Sequence, residues 1–164
     1  METILSDYKF YLWTLLNNSS EALMAARARE IERLGLTCIE HRVLISVPLI
    51  ENSRGKKVTA SELSRWLFRN RSTICELLNR MEKKGLIQRI PWPGKKKTYS
   101  IKITEKGHQL REKCNHDGLT FVNRAMSSIS EEERNQLHVI MGKLRGEALK
   151  ELGLSKKPPF PQFV

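Results

Sequence analysis

Between Thr59 and Ile103 the apolar residues switch from the period of a helix to the period of a strand, and this single switch limits the chain to few folds. Thr59 and Glu62 have the spacing of a capping box and open a short helix that runs to about Phe68. Arg69 and Asn70 form a turn. A second helix runs from Arg71 to about Lys84, with Ile74, Leu77, Leu78 and Met81 at i, i+3, i+4 and i+7, and Gly85 stops it. Leu86 to Ile90 is short, apolar and alternating, as a strand would be. Pro91-Trp92-Pro93-Gly94 cannot continue a regular ladder and reads as a turn. Thr98 to Ile103 alternates again, with Tyr99, Ile101 and Ile103 on one face. Helix, turn, helix and hairpin in that order make a helix-turn-helix with a two-stranded wing.

The flanks are helical. Leu12, Leu15, Leu16, Ser19 and Leu23 recur at helical spacing in a run from about Ser6 to Arg33, and Gly35 is its stop. Thr37 and Glu40 open the next helix as a capping box, and Ile39, Val43, Leu44 and Val47 form its buried stripe. Pro48 should kink or end it, leaving Glu51 to Lys57 as a polar loop. After the wing, Thr104 to about Ile129 reads as a helix interrupted at Gly107 and Gly118. Ser130 with Glu133 caps a last helix that carries Leu137, Ile140, Met141, Leu144 and Ala148 and ends near Gly153. Ser155 to Val164 reads as an extended tail. The expected fold is mainly α with a small two- to three-stranded β wing. Four regions follow: an N-terminal dimerisation helix over 1–35, a winged lobe over 36–104, C-terminal dimerisation helices over 105–154, and a tail over 155–164. The outer helices have apolar stripes and no partner within one small module, so they should pack on each other and on a second copy.

Charge follows the same division. Residues 54–113 hold 17 Lys and Arg against 5 Asp and Glu, whereas the remaining 104 residues hold 12 against 13. A basic compact module flanked by neutral helices fits nucleic acid. A membrane surface would call for a basic amphipathic helix or a basic tail, and neither is evident. No apolar run approaches the roughly 20 residues of a membrane span, and no signal peptide is expected. Three cysteines without paired spacing (Cys38, Cys75 and Cys114) suit a reducing, cytoplasmic setting.

On the Arg71–Lys84 helix, Ser72, Glu76, Asn79 and Lys83 lie opposite the apolar side, flanked by Thr73, Cys75 and Arg80. The second helix of such a motif enters the major groove with its N-terminal residues at base edges. Arg71 has the fork to pair guanine O6 and N7, and Ser72 and Thr73 can bond a base or phosphate. Asn79 could bond adenine. Glu76 either accepts from a cytosine amine or pairs with Arg80. Taken alone, a charged helix face is what any solvated helix shows. Here Lys95, Lys96 and Lys97 also stand at the wing tip, with Arg89 on the first strand, where phosphate or minor-groove contact is expected. A lysine-rich tip also blunts edge pairing.

Leu36-Thr37 with Val43-Leu44, Ala60-Ser61-Glu62-Leu63, Ser72-Thr73-Ile74, Met81-Glu82-Lys83-Lys84-Gly85-Leu86-Ile87 and Ile103-Thr104-Glu105-Lys106-Gly107 together resemble the MarR family of bacterial transcription regulators. By motif the resemblance covers about Leu34 to Leu110, and beyond that by helix length and order only. It implies a homodimer whose terminal helices interlock and whose two winged lobes bind a palindromic operator on double-stranded DNA. Such proteins are often repressors that respond to a small aromatic compound, an oxidant or a metal bound between base and lobe. Where the family wing usually carries an Asp-x-Arg-Asp-type stretch, this chain has Trp92-Pro93-Gly94-Lys95-Lys96-Lys97, which makes its wing contact more electrostatic.

His41 stands where the family commonly has an aromatic residue, and with Tyr8, Tyr11, Trp13 and Trp66 it could line an aromatic-effector pocket; ordinary core packing is the plainer account. His108 and Glu112, with Glu40, His41, Cys114 and His116, are loosely spaced metal candidates, although no metal or other cofactor is expected. Cys38 and Cys75 could sense oxidants, against the simpler reading as inert thiols. No phosphate-binding glycine loop, His-Glu-x-x-His or Gly-x-Ser-x-Gly occurs, so no enzyme is expected. The rival to a sequence-specific regulator is a low-specificity architectural DNA-binding protein.

Overall fold

The computed structural model describes residues 7–55, 57–94 and 98–153. The order of elements is the expected one: α1 Tyr8–Glu32, α2 Cys38–Arg54, α3 Ala60–Leu67, α4 Arg71–Lys83, β1 Ile87–Pro91, β2 Tyr99–Ile103, α5 Glu105–Met126 and α6 Glu131–Glu151. The predicted tail from Ser155 lies outside the described residues, as do Lys95, Lys96 and Lys97.

Local chemistry sets most boundaries. Thr37, Thr59 and Ser130 each accept a first-turn amide of α2, α3 and α6, and Glu40, Glu62 and Glu133 each accept the cap residue's own N–H in return. Asp7 caps α1, so that helix begins at Tyr8, two residues into the segment predicted from Ser6. At the end of α4, the Leu86 N–H bonds the Met81 carbonyl and the Gly85 N–H bonds that of Glu82, with Gly85 at φ 69°. This terminus needs a left-handed residue, and glycine supplies it without strain. α3 ends differently. Phe68 takes φ 53°, the one non-glycine residue at positive φ among those described, and Ser64 Oγ closes the turn by donating to the Arg69 carbonyl.

Four sequence expectations are corrected. Pro48 does not end α2, which runs on to Arg54 through most of the predicted polar loop. Buried Leu44, Val47 and Ile50 bracket the proline, and burying each is worth about 1.5–3 kcal/mol. Together they outweigh the ~3 kcal/mol of a helical proline. Pro91 closes β1 opposite Tyr99 instead of starting the turn, and the next ladder bond comes from the Trp92 N–H to the Thr98 carbonyl. Leu86 belongs to the α4 terminus and not to the strand. Gly107 and Gly118 do not interrupt α5. A β-carbon on Gly107 would collide with the Leu86 carbonyl oxygen and lie 2.7 Å from Ile103 Cγ2, so glycine lets the helix touch the strand. A β-carbon on Gly118 would meet Arg27 Nη2 at 2.7 Å.

β1 and β2 pair antiparallel from Ile87–Ile103 to Pro91–Tyr99, and Val58 adds a single bridge to Ile101 on the far side of β2. One core joins the winged lobe: Val43, Leu44, Val47 and Ile50 of α2 meet Leu63, Ile74, Leu77, Leu78, Met81, Ile87 and Ile101. α1 buries only Ile31 and α6 only Leu149. Leu12, Leu15, Leu23, Leu137, Ile140, Met141 and Leu144 are exposed in the single chain.

Candidate nucleic-acid interface

α4 sorts its residues as the wheel predicts. Ile74, Leu77, Leu78 and Met81 are buried, while Arg71, Ser72, Thr73, Glu76, Asn79 and Arg80 are all exposed. Asn70 makes no side-chain cap bond, so the first-turn amides of α4 face outward beside Arg71, Ser72 and Thr73. Of the two fates set out for Glu76, the intrahelical one is not taken: no ion pair joins it to Arg80.

The helix is held at both ends. At its N-terminal end, the turn closed by Ser64 fixes the approach from α3. At its C-terminal end, Lys84 Nζ lies 2.8 Å from Glu40 Oε1, donates to Glu40 Oε2 at 2.9 Å and reaches the Gly35 carbonyl at 3.4 Å. Lys106 Nζ donates to the Lys84 carbonyl at 2.9 Å. Glu40 is 2% exposed. Burial raises the pKa of its carboxyl, but the bonds from Lys84 and Thr37 and the Lys84 charge outweigh this and hold it below the usual value. One carboxylate thus caps α2 and anchors α4. Sequence reasoning saw only the cap, because its partner Lys84 lies 44 residues away.

Arg89, expected at phosphate, is half-buried, and its Nη2 donates to the Cys75 carbonyl of α4 at 3.1 Å. Its N–H bonds Glu82 Oε1 at 3.0 Å, and its Nε lies 3.7 Å from Glu82 Oε2. In the free chain this arginine ties the wing to α4.

The proposed aromatic set is not brought together within one chain. Tyr8, Tyr11 and Trp13 are exposed at the start of α1, and Trp66 is half-buried against the core. His41 is 8% exposed, and its Nε2 has no hydrogen-bond partner. Burial and the nearby Arg27 charge lower its pKa, opposed by a bond with Asn115. Arg27 bonds Glu30 at 2.6 Å and also donates to the Cys114 carbonyl, and Arg124 bonds Glu30 at 2.9 Å. Arg27 and Asn115, rather than the α1 aromatics, are the neighbours of His41, and packing across three helices that brings them together could not be read from sequence. Trp13 stands 14 residues from Arg27, about 21 Å along α1.

Among the described residues, no three His, Cys, Asp or Glu side chains gather as a metal site, so the metal candidates are not assembled. His108 faces a cavity with Val47 and Ile103, Glu112 pairs with Arg111, and His116 is exposed beside Asp117. Cys114 is buried, which raises its thiol pKa, while Cys38 and Cys75 are half-buried and free.

Residues 36–107 match the family of winged helix DNA-binding domains. The regulator PecS of Dickeya dadantii is 26% identical over 87 residues, 53% of this chain and 52% of PecS, so the chain spans about half the length of that relative. The organohalide-sensing regulator RdhR, solved with 2,4-dichlorophenol, superposes with a TM-score of 0.81 at 23% identity, over 99% of this chain and 95% of RdhR. A mutant MarR of Escherichia coli complexed with operator DNA superposes with a TM-score of 0.72 at 21% identity, over 81% of this chain and 92% of MarR. The fold thus gives residues 36–107 the architecture of a winged helix domain with an exposed α4. The chain shares the fold of these regulators and of a MarR-family regulator from Rhodococcus, which superposes with a TM-score of 0.71 at 19% identity, over 85% of this chain and 96% of that one.

Among the described residues, no helix is long and apolar enough to cross a membrane.

Proposed function

We propose that the protein is a cytoplasmic transcriptional regulator that binds a palindromic operator as a homodimer, represses from it, and releases it when a small aromatic effector binds. The observation that carries this reading is α4: a buried apolar side fixes it to the lobe, and an outer side led by Arg71, Ser72 and Thr73 is exposed. In this reading Arg71 pairs a guanine, Ser72 and Thr73 read or brace at the first turn, and Glu76 accepts from a cytosine amine. Asn79 and Arg80 lie farther along, nearer the phosphates. Lys95, Lys96 and Lys97 contribute backbone contacts from the wing. The helices of 1–35 and 105–154 form the dimer base, and two lobes of 36–104 sit about 34 Å apart on successive major grooves. The effector reading rests on His41, whose orphan Nε2 and cationic neighbour Arg27 suit a phenolate or carboxylate.

The test begins with fragments of the source genome retained by the protein. Affinity for the consensus palindrome and for a mixed-sequence duplex is then compared at one salt concentration. Discrimination of roughly 10³ or more is expected. A ratio near one would leave the low-specificity architectural binder. Arg71→Ala should cost about 1–3 kcal/mol and relax preference at one base position. Uniform weakening on all sequences would make Arg71 a phosphate contact.

A further inference from the structure

An open groove of about 720 Å³ separates α3 from the wing. Lys57, Thr59, Glu62 and Arg65 line one wall, and Trp92 and Thr98 line the other. The walls are held at fixed spacing. Val58, between Lys57 and Thr59, accepts the Ile101 N–H at 2.8 Å, and the Trp92 N–H closes the hairpin onto the Thr98 carbonyl at 2.9 Å. The groove is therefore built before any partner arrives.

One wall carries two cations against one acid. Lys57 and Arg65 are exposed, and neither forms an ion pair with a described residue. Among the described residues, Arg65 Nε reaches only the Ser61 carbonyl, at 3.4 Å. The one acid present, Glu62, has its Oε2 engaged by the Thr59 N–H at 2.8 Å and the Thr59 hydroxyl at 3.0 Å. In sequence, the residues that join Gly94 to Thr98 across the wing are three lysines.

We propose that this groove seats the sugar-phosphate backbone of bound DNA, with Lys57 and Arg65 as its phosphate contacts and the indole of Trp92 against the sugars. The proposal rests on the DNA-binding reading above. When α4 occupies a major groove and the wing lies along the neighbouring minor groove, one backbone strand runs between them. That strand must cross the surface joining the helices to the wing, and this surface is the groove. An unroofed trough with cations on one wall and a flat ring on the other suits a continuous polyanion better than a small molecule, which is normally enclosed.

The experiment measures affinity of the full chain for a mixed-sequence duplex over a fourfold range of salt, for wild type, Lys57→Gln, Arg65→Gln and the double variant. Each phosphate contact contributes about 0.9 to the slope of log affinity against log salt, a loss of about 3.5-fold per contact over that range. The single variants should each flatten the slope by about that amount and the double variant by about twice as much, with equal melting temperatures. Slopes equal to wild type would overturn the proposal. The mixed-sequence duplex separates this outcome from the broader reading. A protein that binds it with the expected slope changes, yet does not prefer any palindrome, keeps the groove and loses the operator. A protein that binds no duplex loses both.

Discussion

Glu40 and His41 are neighbours on the first turn of α2, and each meets a different part of the molecule. Glu40 takes the Lys84 ammonium from the end of α4, whereas His41 meets Arg27 of α1 and Asn115 of α5. A group that shifts His41 therefore acts one residue from the anchor of α4. The histidine also has a consequence for stability. Burial and the Arg27 charge lower its pKa in the folded chain, below the ordinary 6.5 at which the unfolded chain titrates. Above pH 6.5 it is neutral in both states and has no effect. Below that value the unfolded chain binds the proton first, so stability is lost as the pH falls, by at most about 1.4 kcal/mol per pH unit. Melting curves between pH 7 and 5 should therefore decline more steeply for wild type than for His41→Gln. The carboxyl of Glu40, held below its ordinary 4.5, stays ionised across this range and does not interfere. Parallel curves would mean that His41 is not proton-linked. The capping role of Glu40 was legible in Thr37-x-x-Glu40, because a cap is local. The bond to Lys84 and the Arg27–His41 approach were not, because three-dimensional packing alone brings those residues together.

At the scale of elements, boundaries set by side chain–backbone bonds were readable, and those overruled by packing were not. The three capping boxes, Gly85 and the apolar sides of α2 and α4 stand where the sequence places them. Pro48 and Gly107 mislead because propensity is a small term against a buried face. Gly107 supports a direct test. Alanine favours a helix over glycine by about 1 kcal/mol, so on propensity alone Gly107→Ala should stabilise α5. The added β-carbon instead meets the Leu86 carbonyl and Ile103 Cγ2, and backbone cannot move aside as a flexible side chain can. The Thr104 hydroxyl also donates to the Gly85 carbonyl at 2.7 Å and accepts the Gly107 N–H at 3.1 Å, which pins the helix start to the end of α4. Overpacking of this kind costs about 1–3 kcal/mol. Gly107→Ala should therefore lower the denaturation midpoint. Gly118→Ala should do less harm, because the atoms it meets belong to the end of the Arg27 side chain. A stabilised Gly107→Ala would show that the helix can slide off the strand at little cost.

For the whole molecule, the question is what covers α6. Leu137 is 40% exposed and Ile140 52%, with Met141 and Leu144 on the same stripe, and the helix buries only Leu149 in the single chain. Scattered exposed leucines are ordinary, but a row at helical spacing along one side is a patch that demands a partner. A helix of 21 residues with almost no packing is also marginal in water. α1 offers Leu12, Leu15 and Leu23, likewise exposed, so two copies can cover both helices at once. Under this account Ile140→Asp puts a charge in the centre of the interface while leaving the core of the winged lobe untouched. Sedimentation should show a monomer, with the lobe still folded by circular dichroism. Two lobes joined by a base bind two half-sites as one event, which raises affinity by about 10²–10⁴ over a single lobe. Operator affinity should therefore fall by that factor, while the weak binding of each lobe to mixed-sequence duplex falls far less. If Ile140→Asp sediments as a dimer, the stripe on α6 is not the interface, and the spacing of about 34 Å between recognition helices loses its structural basis.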